Sequence, residues 1–112
     1  MTYQYSDFQF DGSLHAARAA IEHGTGVPLS ERDSMYWGGT YFLVTDRVSD
    51  VRLQLHRNRD HLHECINTEF ADAGLLCAIS GPMYAVVTLV EKVLCAGGVL
   101  LTTRTREVED VE

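Results

Sequence analysis

The sequence predicts an α+β fold, a two-layer sandwich in which two helices cover one face of a mostly antiparallel sheet of four or five strands. Two stretches of the chain carry this prediction. In a hairpin over residues 40–56, apolar and polar side chains alternate after a polar turn at 45–50, which is the period of a strand with one buried face. Residues 82–103 combine a helical apolar stripe with an apolar strand.

The first part of the chain is predicted to form a strand and a helix. Residues 2–10 contain four aromatic side chains whose parity shifts midway, so they form either a strand with a bulge or an aromatic arm lying on the core. Ser13 is a favourable N-cap, and the apolar spacing predicts a first helix over about 14–23. Gly24 and Gly26 are expected to end it, since glycine readily adopts the left-handed conformation.

Two connections are predicted to be irregular. Residues 27–37 contain a pattern like a capping box without a long apolar run behind it, so we expect a loop or a single helical turn. The pair Gly38-Gly39 then allows a sharp bend or a close backbone approach before the next strand. Residues 57–72 are polar and form the longest irregular connection, which favours them as a functional loop.

The last part of the chain contains a strand, a helix and a strand in close succession. Residues 75–79 are a continuous apolar run, typical of a strand buried on both faces. A second helix is expected to end at Gly97, and a strand follows over 99–106, which together suggest a right-handed βαβ crossover. We expect one domain over 1–112, with 107–112 as a frayed acidic end.

Charge and composition limit the classes of partner. The 112 residues include 9 basic and 16 acidic side chains, a formal net charge of −7. This argues against nucleic acid, which needs a basic footprint, and is compatible with a basic protein partner. No apolar stretch is long enough to cross a bilayer and no signal peptide is evident, so we expect a cytoplasmic protein without a membrane partner. The three cysteines are an odd number without CxxC spacing, as expected of reduced thiols.

The sequence contains one candidate metal cluster. It consists of His56, His61, His63 and Cys65, and the last three would lie on one side of an extended segment. Imidazole and thiolate are good zinc ligands. The spacing is not that of a known zinc finger, so we favour solvated loop histidines, with no metal and no cofactor. A small metal-binding protein or metal-dependent enzyme is the alternative. No catalytic motif is present, and we expect a protein that is not an enzyme.

Aromatic side chains surround the glycine pair. Tyr36, Trp37 and Tyr41 are either core residues or anchors of a protein interface. The open edge of a strand at 102–106 offers a third possibility, a self-associating accessory subunit, so monomer and homodimer both remain open.

Over about residues 13–106, the order of features resembles small bacterial immunity proteins of polymorphic, contact-dependent toxin systems. The resemblance lies in the glycine-aromatic element at 34–42, the strand at 51–60 that ends near Asn and Asp, and the later strand, helix and strand. It implies a non-enzymatic inhibitor that binds a cognate protein toxin, of basic charge, and blocks its active site. The expected partner-binding residues are Tyr36, Trp37, Asn58, Asp60, His61, His63, Glu64, Glu69 and Asp72.

Overall fold

The computed structural model describes residues 1–108. The elements in chain order are β1 (Thr2–Phe10), α1 (Leu14–Thr25), β2 (Ser30–Ser34), β3 (Gly39–Asp46), β4 (Val51–Arg57), β5 (Leu75–Pro82), α2 (Met83–Cys95) and β6 (Val99–Glu107). Two short 3₁₀ turns, Met35–Trp37 and Thr68–Phe70, lie between them. We call Met35–Trp37 the aromatic turn, and residues 58–74 the acidic loop.

The strands form one sheet in the order β2-β3-β4-β5-β1-β6, with every neighbouring pair antiparallel. The predicted α+β class with two helices is confirmed, but the sheet has six strands where four or five were expected. The additional strand is β2, in the segment predicted to be a loop or a single helical turn. Its sequence, Ser-Glu-Arg-Asp-Ser, has no apolar alternation because β2 is an edge strand with mostly exposed side chains.

The strand–helix–strand unit at the end of the chain spans β1. Both β5 and β6 pair with β1 in antiparallel fashion, so they run in the same direction but are not neighbours. The predicted crossover therefore exists in split form, with the first strand of the chain inserted between its two strands. Hydrogen bonding across β1 ties the N-terminal strand to the C-terminal half of the chain, which local sequence patterns do not specify.

The N-terminal segment is a strand, the first of the two predicted alternatives, and its pairing with β5 is regular throughout. The register shift in its pairing with β6, between Asp7 and Phe8, comes from an extra residue on β6. The parity change of the aromatic residues has another cause, since Phe8 and Phe10 lie on the buried face of β1 and Tyr3 and Tyr5 on the opposite face.

The end of the chain differs from prediction. Glu107 pairs with Thr2, and the amide of Val108 donates to the Met1 carbonyl oxygen at 2.8 Å. Residues 107 and 108 are thus paired, while 109–112 of the predicted frayed end lie outside the described residues.

The first helix is two residues longer than predicted. The Ser13 hydroxyl accepts a hydrogen bond from the Ala16 amide, as expected of an N-cap, and Gly26 ends the helix with φ +72°. Gly24 lies inside the helix because it faces the second helix closely. A Cβ built on Gly24 would lie 2.9 Å from the Ala96 Cβ. The absent side chain therefore serves helix packing and not helix termination.

Both helices lie on the same face of the sheet. Leu14 and Ile21 from α1 and Val86 and Val93 from α2 belong to one buried cluster. The cluster includes the central strand residues that share a row across the sheet, which are Phe8, Phe42, Leu55 and Cys77. Burial of these side chains provides the main stabilisation of the fold. In the described part of the chain, the opposite face of the sheet, which we call the open face, carries neither helix.

We expect the substitution Leu55→Ala to destabilise the protein by about 2–5 kcal/mol, because Leu55 is fully buried between Phe42 and Cys77. The same truncation at the exposed Leu62 should cost less than about 0.5 kcal/mol. Urea unfolding at pH 7 measures both values. Equal losses in the two variants would contradict the assignment of the core to the helix-covered face.

Candidate functional site

The aromatic turn presents two side chains to solvent and turns the third inward. Met35 and Tyr36 are 69% and 61% exposed. Trp37 is half-buried, and its ring centroid lies 4.3 Å from that of His56 on β4 and 4.7 Å from that of Tyr36. The turn ends at Gly38, with φ +77°, whose amide donates to the Met35 carbonyl oxygen at 3.1 Å. The aromatic residues are therefore divided between a packing role for Trp37 and an exposed position for Tyr36.

The acidic loop is held by its first residue. Asn58 is only 1% exposed. Its Oδ1 accepts from the Asn67 amide at 2.7 Å, and its Nδ2 donates to the carbonyl oxygens of Asn67 and Phe70 at 3.3 and 2.9 Å. A buried amide with both ends bonded fixes the chain around it, because breaking these bonds would leave unpaired polar groups. Asn58, predicted as a contact residue, lies behind the surface and positions the loop.

The middle of the loop is a tight turn. Asp60 Oδ1 accepts from the amides of Leu62 and Glu64 at 2.8 and 3.0 Å, and the Asp60 amide donates to the Glu64 carbonyl oxygen at 3.0 Å. Asp60 is thus a structural residue of the turn, as well as a half-buried carboxylate at its edge. Leu62 is 64% exposed at the tip.

The conformation of this turn differs from the extended segment that the candidate metal site requires. His63 has φ +63°, so His61, His63 and Cys65 do not alternate along an extended segment. Cys65 is half-buried and its Sγ donates to the Asn67 carbonyl oxygen at 3.2 Å, whereas His61 and His63 are exposed. Within residues 1–108 there is no group of three or more His, Cys, Asp or Glu side chains that could hold a metal ion.

The aromatic turn and the acidic loop touch each other. The His61 amide donates to the Met35 carbonyl oxygen at 3.1 Å, and the His61 ring lies beside the same oxygen, with Nδ1 at 3.3 Å. A Cβ on Gly38 would overlap the carbonyl oxygen of Arg59, so only glycine permits this backbone approach. The predicted close approach at the glycine pair is thus found at Gly38. Two stretches more than twenty residues apart in sequence form one continuous surface.

Charged groups surround this surface. A cavity of about 600 Å³ lies where the two segments meet, lined among others by Asp33, Arg57, Arg59, Asp60 and His63. On the loop itself, Glu64, Glu69 and Asp72 are exposed. Glu69 pairs with Arg104 of β6 at 2.8 Å, while the carboxylates of Glu64 and Asp72 make no hydrogen bond or ion pair within residues 1–108. These five acidic residues outnumber the three arginines, so the surface carries a net negative charge although two arginines line its cavity.

His56 is buried, although the sequence suggested it only as a member of the candidate metal cluster and not as a partner-binding residue. It lies on the open face, next to the core residue Leu55, and is 6% exposed beneath Trp37. Burial lowers the pKa of His56 from 6.5 to about 4, so the ring is neutral at pH 7. The alternation of β4 placed His56 on the polar side of the strand. Its burial depends on Trp37, which no local pattern connects to it.

Comparisons with known proteins add no assignment. No protein-family model matches the sequence, and no curated protein matches it. No helix in the described part of the chain is long and apolar enough to cross a membrane. The function is therefore inferred from the geometry of this surface.

We expect His56 to make the protein less stable as pH falls from 6.5 towards 4. In this range the unfolded chain binds a proton at residue 56 and the folded chain does not, so the stability contribution is complete above pH 6.5 and is lost on acidification. At pH 5 the loss attributable to His56 is about 2 kcal/mol. Urea unfolding at pH 7 and pH 5 measures this loss. Between these two pH values, the free energy of unfolding of His56→Gln should fall by about 2 kcal/mol less than that of the wild type.

The exposed His61 provides the matched control. His61→Gln removes an exposed imidazole and leaves His56 in place, so this variant should keep the loss of stability that His56 causes. Identical pH dependence in the wild type and His56→Gln would show that the ring of His56 is not buried in the neutral form.

Proposed function

We propose that this protein binds a cationic protein partner through the surface formed by the aromatic turn and the acidic loop, and that it acts as an immunity-type inhibitor by covering the partner's active site. One observation carries the proposal. Three large apolar side chains, Met35, Tyr36 and Leu62, are more than 60% exposed on backbone that is held by hydrogen bonds. Exposed apolar side chains with a polar rim are typical of protein interfaces.

The fixed backbone favours tight binding. The bond from His61 to Met35 and the bonds of Asn58 hold both segments before a partner arrives. A surface that is already ordered loses less conformational entropy on association than a mobile loop does. Tyr36 is the strongest candidate for an anchor, since tyrosine combines a large contact area with few rotatable bonds.

The charges support a cationic partner. Asp60 and Glu64 flank the exposed Leu62, Glu69 and Asp72 follow in the same loop, and the whole chain carries a formal charge of −7. Complementary potential accelerates the encounter of two proteins and disfavours acidic competitors. The resemblance to immunity proteins supports the finer statement that the partner is a toxin domain, whose cationic active site would be occluded by the acidic loop.

We expect Tyr36→Ala to weaken the complex about 30-fold, as is usual for the truncation of an interface anchor. The matched control is Tyr84→Ala, since Tyr84 is at least as exposed as Tyr36 but lies on α2, across the sheet from the open face. The tagged wild type and both variants are used to capture partners from a lysate of the host cell at low salt. Quantitative mass spectrometry should find one basic protein in equal molar amount with the wild type and Tyr84→Ala.

Two outcomes would contradict the proposal. One is the absence of any stoichiometric protein at low salt, and the other is equal recovery with Tyr36→Ala and Tyr84→Ala. For the recovered partner, the association rate should fall as salt is raised. Glu64→Lys should slow association about tenfold, while Glu91→Lys makes the same charge change on α2 and should slow it much less.

A further inference from the structure

A second cavity lies on the open face, beside the proposed binding surface. Its volume is about 490 Å³, and Asp7, Trp37, His56, Asn67, Glu69 and Leu76 contribute to its lining. The floor comes from three adjacent strands, because Leu76 of β5 lies between His56 of β4 and Gln9 of β1. The aromatic turn and the acidic loop provide the walls. This cavity therefore shares Trp37, Asn67 and Glu69 with the two segments of the proposed interface.

Asp7 is the unusual residue of this cavity. It is half-buried, and no hydrogen bond or ion pair from another side chain or amide of residues 1–108 reaches its carboxylate. Burial raises the pKa of Asp7, Arg104 opposes this effect, and Glu69 adds to it. A partly desolvated carboxylate without a hydrogen-bond donor is costly, and a bound cation that donates to it would relieve that cost.

The charges around Asp7 do not balance. Arg104 is the nearby cation, and its Nη2 is committed to Glu69 Oε2 at 2.8 Å. Two carboxylates thus face one guanidinium, and one negative charge remains at the cavity. His56 does not supply a compensating charge, because its buried ring is neutral at pH 7. The site has room and charge for one additional cation.

The aromatic wall and His56 select the kind of cation. A planar guanidinium can stack on an indole such as that of Trp37 while it donates to a carboxylate, which a compact ammonium does less well. Gln54 Oε1 accepts from Arg52 at 3.0 Å, so the Gln54 amide donates to His56 Nδ1, at 3.4 Å. This assigns the ring proton to Nε2, which has no acceptor among residues 1–108 and is available to a carbonyl oxygen.

We propose that the cavity receives an arginine residue of the partner protein, with the guanidinium between Asp7 and Trp37 and a carbonyl oxygen of the same segment at His56. The inference rests on the proposed function, since the arginine would belong to the cationic partner. The partner would then carry a protruding arginine, and this side chain would enter the cavity beside the main contact surface. Asp7 is then a specificity residue, because its carboxylate is the group that distinguishes a charged side chain from a neutral one.

Trp37 allows a direct test, because it is the single tryptophan of the chain. The isolated protein is titrated with N-acetyl-arginine amide at pH 7 while tryptophan fluorescence is recorded. We expect a saturable change in emission with a half-point in the millimolar range, as is appropriate for a ligand of this size. N-acetyl-citrulline amide has nearly the same shape without the charge and should bind at least about tenfold more weakly.

Asp7→Asn should weaken the binding of N-acetyl-arginine amide by at least about tenfold, while Asp11→Asn removes an exposed carboxylate outside the cavity and should leave this binding unchanged. If the wild type binds the arginine and citrulline derivatives equally well, the proposal is wrong, and this result requires no variant. Absence of a saturable response would overturn it as well.

Failure of the arginine site can be distinguished from failure of the proposed function. If the wild type captures a basic partner and Asp7→Asn captures it equally well, the interface is supported and the arginine site is wrong. If the arginine derivative binds in an Asp7-dependent manner but no protein partner is found, the cavity binds guanidinium groups and the proposed function is wrong.

Discussion

The backbone contact between Gly38 and Arg59 is the constraint on which the functional surface depends. Glycine is required there for two reasons, since φ is +77° and a side chain would overlap the Arg59 carbonyl oxygen. The contact places the aromatic turn against the acidic loop and allows the bond from His61 to Met35. It also sets Trp37 above His56. The exposed anchors, the buried imidazole and the wall of the open-face cavity all follow from this one approach.

The fold explains why such a surface is available. Both helices pack on one face of the sheet and bury Phe8, Leu55 and their neighbours. Among residues 1–108 no helix packs on the open face, and the aromatic turn and the acidic loop cover part of it. Side chains that would be core residues in a three-layer protein are therefore polar here, such as Asp7, Gln54 and His56. A partner that docks beside the loop would meet these groups directly.

Much of the fold could be predicted from the sequence because it rests on local patterns. The alternation of β4, the apolar run of β5 and the stripe of α2 each reflect burial of one face or both. Strand β2 could not be predicted in this way, because an exposed edge strand needs no apolar residues and is specified by its pairing with β3. The position of β1 between β5 and β6 is likewise a non-local result.

The site was predictable in outline and not in its internal roles. Composition indicated that residues 57–72 form a polar loop, and the glycine pair suggested a close approach. The burial of Asn58 could not be foreseen, because asparagine at the start of a loop is usually solvated and its three partners come from residues 67 and 70. The roles of His56 and Asp7 could not be predicted for the same reason, since the environment of each side chain is formed by segments distant in sequence.

The most direct test of this account is amide hydrogen exchange at His61, whose amide donates to Met35 across the contact. In the wild type we predict strong protection of this amide, although it lies in a loop, and in Gly38→Ala exchange at least about tenfold faster. Gly26→Ala is the matched control, because Gly26 has nearly the same left-handed conformation with no atom within 4 Å of a built Cβ, so strain alone should leave the His61 amide protected. An unprotected His61 amide in the wild type, or equal protection in the two variants, would contradict the claim that this contact holds the functional surface together.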